Sequence, residues 1–184
     1  AEHAPADVAA EWVPELIAGN RSTTICISEP GAGSDVGRIR TRAVEQDGVW
    51  RITGQKIWIS FGDHDLTPLI GHCLLARTSD APGTRGLSLF LVPSLKADGS
   101  ANGVTPLRIE EKMGLHGSPT CAMEFIESEG ILIGERERGQ HVVARAPVMG
   151  AVVEQDRRLV QPAPLEPQRQ PFGDIRRVGA QGDR

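Results

Sequence analysis

The sequence is short of cysteine, of long apolar runs and of any strong charge. Three cysteines, Cys26, Cys73 and Cys121, are too few and too scattered in 184 residues for a disulfide framework. An odd count, with no secretory segment, points to a reducing cytoplasm. No apolar stretch approaches the ~20 residues of a membrane span, and the first residues read as neither signal nor transit peptide. A net charge of −4 leaves no footprint for nucleic acid or an anionic membrane surface. No internal repeat is found, and no initiator methionine precedes Ala1. The opening, which starts in the middle of a pattern, reads as a piece of something longer.

What is present suits one globular domain. Hydrophobic residues make up 39% and charged residues 24%, and a chain of this size can bury a real core. "AEHAPADVAAEWVPELIAGN" carries a short amphipathic helix pattern, with Trp12 and Leu16 one turn apart. From Ser22 the pattern becomes β. In "RIRTRAVEQDGVWRITGQKIWIS", Asp47-Gly48 supplies the positive-φ pair of a two-residue hairpin, and Trp50 and Ile52 alternate with polar neighbours. "RSTTICIS", "LIGHCLLAR", "GLSLFLVP", "VTPLRIEE", "CAMEFIE" and "GILIG" are further short strand candidates, bounded by turn residues. Seven to nine short strands predict a mainly β fold, a barrel or sandwich over residues 22–140, behind a helical segment 1–21. No stretch between Ser22 and Gly139 has the length and period of a core helix. Residues 141–184 hold five prolines and seven arginines without lysine. They show no sustained period and read as an irregular or disordered tail.

The loop "CISEPGAGSDVG", Cys26 to Gly37, is the densest concentration of turn and hydrogen-bonding residues. It is not a dinucleotide fingerprint, because the third glycine falls one place late and a hairpin follows where a helix is needed. "GQK" at Gly54–Lys56 lacks the pattern of a phosphate loop. "GDHDLTPLIGH" gathers Asp63, His64, Asp65 and His72, but no spacing there matches a structural zinc site. Neither "GSD" nor "HGSPT" is a nucleophile elbow.

Four motifs in order remain: "CISEPGAGSD", "GQKIWIS", "LARTSDAPGTRGLSLFLVP" and "KMGLHGSPTCAMEF". Together they resemble the middle β-barrel domain of the acyl-CoA dehydrogenases, over about Trp12 to Gly139. "GDHDLT", "DGSANGV" and "HGSPTC" are similar to the branch that includes the 3-methylmercaptopropionyl-CoA dehydrogenases. The resemblance implies FAD as cofactor and an acyl-CoA thioester as substrate, the β hydride passing to the flavin ring. By the same resemblance Ser28 and Ser60 offer hydroxyls to the ring where the family usually has Thr. Trp58 lies near it, and the backbone around Ile25 and Ile27 runs along it. Ser34, with Gly33, falls where the family meets the acyl-CoA. Read singly, the serines are also ordinary strand-end residues, Trp58 is also a plain core aromatic, and the glycines also make a tight turn.

The resemblance further implies an electron-transfer flavoprotein as electron acceptor and a homo-oligomer. It places the catalytic glutamate in C-terminal helices for which residues 141–184 have no matching motif, so no catalytic residue is nominated. The expectation is a family fragment, inactive alone, whose tail arises from a shifted reading frame. The competing readings are a non-catalytic interaction barrel that keeps only the scaffold, and a relative that uses the same barrel for another flavin oxidation.

Overall fold

The computed structural model of the chain describes residues 2–145. Helix α1, Ala6–Ala18, ends where Gly19 turns left-handed at φ +78° and gives its N–H to the carbonyls of Glu15 and Leu16. Its buried residues, Val8 and Trp12, are one turn apart and pack on Leu91. A Cβ at Gly71 would lie 2.6 Å from the Trp12 ring, so the missing side chain there makes the seat for the indole.

The strands are β1 (Ser22–Cys26), β2 (Arg42–Gln46), β3 (Val49–Ser60), β4 (Ile70–Arg77), β5 (Leu87–Pro93), β6 (Val104–Ile109) and β7 (Thr120–Ile133), before a last helix α2 (Gly139–Arg145). The β2–β3 hairpin turns on Asp47 and Gly48, at φ +52° and +78°, the geometry that the pair predicts. Strand pairing closes a ring: β4 meets β2, β2 meets β3, β3 meets β7, β7 meets β5, and β5 returns to β4. β1 runs parallel to β4 along Ile70–Leu74, and β6 shares an edge of β7 with β5. The mainly β barrel expected from the turn spacing is therefore present.

Two details differ from the sequence reading. "CAMEFIE" and "GILIG" are one continuous strand, β7, because Gly130 does not break it: a Cβ there would lie 2.3 Å from the Ile52 side chain. Helix α2 occupies Gly139–Arg145, so the first residues of the segment expected to be irregular are helical, with Val142 packed beside Leu87 and Leu89. The remainder of that tail, 146–184, lies outside the described residues.

β4 and β5 are buried on both faces. Leu74, Ala76, Phe90 and Val92 fill the barrel interior with Ile52, Ile59, Met123 and Phe125. Leu75 and Leu89 pack outward into a second cluster with Ala32, Ile39 and Val142, and Leu91 packs under α1. Inside this apolar space His72 gives or takes a hydrogen bond with Thr24 Oγ1 at 2.8 Å and stacks edge-on against Phe125.

Burial, helped by the nearby His64, draws His72 down from 6.5 to about 4. Between those values the unfolded chain binds a proton that the folded chain refuses, so stability falls as pH drops from about 6.5 to 4. The loss from this one group is at most about 3 kcal/mol. Denaturant titrations at pH 7 and pH 4.5 are expected to show that decline. His72→Gln, which cannot take up the proton, is expected to flatten it.

Candidate functional site

The loop after β1 and the second half of β3 are joined by a charge pair. On an alternating strand, Lys56 takes an inward position and its side chain is 0% exposed. An ammonium there must find partners for all three of its donors. It donates to the Ile27 carbonyl at 3.1 Å, the Leu75 carbonyl at 2.8 Å and Glu29 Oε1 at 2.9 Å. Glu29 in turn accepts the backbone N–H groups of Arg40 and Thr41 at 2.7 and 3.0 Å. Burial works to raise Glu29, but Lys56, with Thr41 and the Arg40 N–H beside it, holds its carboxyl below the ordinary range. Burial draws Lys56 below its ordinary value, with Glu29 pulling the other way. The hub thus ties the end of β1, the glycine loop, the approach to β2, β3 and β4 at one point.

Beside the hub β3 bulges. Lys56 faces Met123 of β7 and Ile59 faces Cys121, so three steps on β3 match two on its partner. The Ile57 N–H turns away from β7 and donates to the Ser28 carbonyl at 2.9 Å. Trp58 takes φ +62° and is 60% exposed. A left-handed backbone costs a tryptophan about 1–2 kcal/mol, and the exposed indole recovers little by burial. Ile59 returns inward, Ser60 is exposed, and Phe61 is again left-handed at φ +53°.

The expected site residues fall into two groups. Ile27 and Ser28 lie on the segment after β1, Trp58 and Ser60 on the end of β3, and the hydrogen bond from the Ile57 N–H to the Ser28 carbonyl joins the two segments. Ser28 is half-buried, and Ile27 packs on the Ala32, Ile39 and Leu75 cluster. Ile25 lies two residues earlier on β1, half-buried and level with Cys73. Gly33 and Ser34 are exposed, just past the tight turn in which Glu29 and Ala32 exchange backbone hydrogen bonds. Arg77 fixes the far side of this loop: its guanidinium donates to the carbonyls of Ile39, Ala81, Gly37 and Gly83.

Sequence reasoning passed over Glu29, Lys56 and Arg77. The signal for Lys56 was available: a lysine at an inward position of an alternating strand demands a carboxylate, and Glu29 sits in the neighbouring motif. The buried Cys26, Thr24 and His72 resemble a thiol–imidazole pair, but Cys26 Sγ lies 3.8 Å from His72 Nδ1. Burial pushes that thiol up to about 12, so it is no nucleophile near neutral pH. Of the histidines in "GDHDLTPLIGH", His64 is engaged by Ser22 and by the Leu66 N–H, and His72 by Thr24.

Residues 24–127 match the model of the acyl-CoA dehydrogenase middle domain. The chain belongs to the acyl-CoA dehydrogenase family. Over 135 residues it is 46% identical to 3-methylmercaptopropionyl-CoA dehydrogenase of Ruegeria pomeroyi, an alignment covering 70% of this chain and 23% of that protein. It is 41% identical over 135 residues to a butyryl-CoA dehydrogenase of Syntrophomonas wolfei, covering 67% and 22%. The solved acyl-CoA dehydrogenase of Geobacillus kaustophilus superposes with a TM-score of 0.66 at 31% identity, over 76% of this chain and 36% of that one. The chain thus spans about a quarter of the length of these two curated relatives. The acyl-CoA dehydrogenase middle domain in this chain contains the whole hub, the bulge and the glycine loop.

Lys56→Met is expected to cost about 3–5 kcal/mol in chemical unfolding, because it leaves the Glu29 carboxylate buried without its counter-charge.

Proposed function

We propose that this chain carries the flavin- and acyl-CoA-facing barrel of a flavin-dependent acyl-CoA dehydrogenase, whose reaction is α,β-dehydrogenation of an acyl-CoA thioester. Trp58 is the observation that carries the reading. A bulge and a left-handed backbone spend stability to hold a large ring out in solvent, one residue after Ile57, whose N–H binds the Ser28 carbonyl, and two before the exposed Ser60. That combination suits a flat aromatic ligand with a polar edge, and the donor set fits FAD. When bound, FAD supplies the acceptor for the hydride leaving the β carbon.

In this reading Ser28 and Ser60 donate their hydroxyls to the pyrimidine edge of the ring, where negative charge collects. Trp58 covers the ring, and Ile25 and Ile27 run alongside it. Gly33 and Ser34 meet the acyl-CoA. Gly33 has neither a left-handed φ nor any atom within 4 Å of where its Cβ would stand, so the fold alone does not demand glycine there. Close approach of a ligand gives it a reason. No described residue is proposed as the base for the α proton, so the chain by itself is expected to turn over no acyl-CoA. An electron-transfer flavoprotein as acceptor and a homo-oligomeric assembly belong to the same proposal.

A second reading, a non-catalytic interaction barrel, draws on the exposed apolar residues Met113, Leu115 and Leu66. Titration with FAD, read by quenching of flavin fluorescence, separates the two. The purified chain is expected to bind, and Trp58→Ala to weaken binding at least about tenfold. Its unfolding free energy should stay within about 0.5 kcal/mol, as for an exposed side chain. No binding by the parent chain would favour the interaction barrel. Reduction of an artificial electron acceptor by the chain with short-chain acyl-CoA would refute the expected inactivity.

A further inference from the structure

We propose that the buried Glu29–Lys56 pair is the positioning element of the flavin face: it sets the Ile27–Ser28 backbone and, through it, the outward pose of Trp58. The inference rests on the flavin reading above. It assigns the pair a role in ligand recognition in addition to its role in holding the barrel closed.

The geometry gives the route. Lys56 is the residue at which the bulge begins, and its Nζ holds the Ile27 carbonyl. The next carbonyl, that of Ser28, accepts the Ile57 N–H. Trp58 follows directly, at φ +62°. Two adjacent carbonyls of the loop are therefore gripped by two consecutive residues of β3, one through a side chain and one through the backbone. From the other side Glu29 is held by the Arg40 and Thr41 N–H groups, which stops the loop from sliding along the strand.

Energetics point away from stability as the reason for this arrangement. A buried ion pair is often matched or exceeded in stability by apolar groups of the same volume. What apolar groups cannot do is hold three named acceptors at fixed points. The Trp58 backbone is strained, so without restraint the bulge would relax toward ordinary strand geometry and the indole would leave its pose. If the competent pose falls to a tenth of the population, the apparent dissociation constant of its ligand rises tenfold.

The test is the double variant Glu29→Gln/Lys56→Met, which removes both charges together and keeps one amide oxygen, able to accept one of the two N–H groups, Arg40 or Thr41, that bind separate oxygens of Glu29. Two quantities are read in the folded protein: FAD affinity, and amide hydrogen exchange along β3, β4 and β5. The expected result is an affinity loss of at least about tenfold, with faster exchange at Ile57 and its neighbours and protected amides retained in β4 and β5. Unchanged affinity and unchanged exchange at Ile57 would overturn the proposal. So would a uniform loss of protection across all three strands, which is the signature of a purely structural pair. Glu29→Gln alone reads the same quantities should the double variant fail to fold. If the parent chain binds no FAD, the flavin reading fails on that result, while exchange at Ile57 still reports whether the pair sets the bulge.

Discussion

A single buried ammonium organises this molecule. Lys56 has three donors and no access to water, and each donor goes to a different part of the chain. Because a desolvated charge tolerates no vacancy among its partners, the end of β1, the body of β4 and the turn carrying Glu29 must all arrive together. Apart from a few hydrogen-bonded groups such as His72 and Thr24, the barrel's interior is apolar packing, which has no direction of its own. The ammonium's bonds do. Specific directional bonds at one interior point thus fix what close packing alone leaves adjustable.

Much of the fold was legible in the sequence for local reasons. Asp47-Gly48 announces a hairpin because few other pairs adopt positive φ twice in succession, and the alternation of Trp50 and Ile52 places β3 beside it. β4 and β5 were legible as strands, but not the two faces each buries. Leu75, Leu89 and Leu91 look outward to elements far away in sequence, and no local pattern states what covers them. Gly130 misled for a related reason. Glycine ordinarily punctuates a chain, but here it makes room for Ile52 across the sheet, a contact visible only in three dimensions.

The candidate site was legible only in part. Ser28, Trp58 and Ser60 stood out through the order of the motifs around them, and Ile57 links two of them by its hydrogen bond to Ser28. The bulge between Lys56 and Ile59 was not legible, because strict alternation through "KIWIS" would put Trp58 on the same side as Lys56. Only the extra residue, which exists in relation to β7, turns the indole out. Glu29 looked like one more polar loop residue. Its partner lies 27 positions away, and a charge pair at that distance has no period to betray it.

The long strand β7 has a consequence for how the chain comes to be folded at all. It supplies the partner for nearly the whole of β3, and the two are far apart along the chain: Thr53 and Glu127, which share a hydrogen bond, are separated by 74 positions. Pairings so distant form late and slowly, because a large loop must first be closed. During synthesis the β2–β3 hairpin therefore emerges with one edge bare and its apolar face uncovered, waiting for a strand not yet made. Until β7 clears the ribosome the nascent barrel is an open, sticky sheet, and cellular holding factors have their clearest opportunity to bind it then.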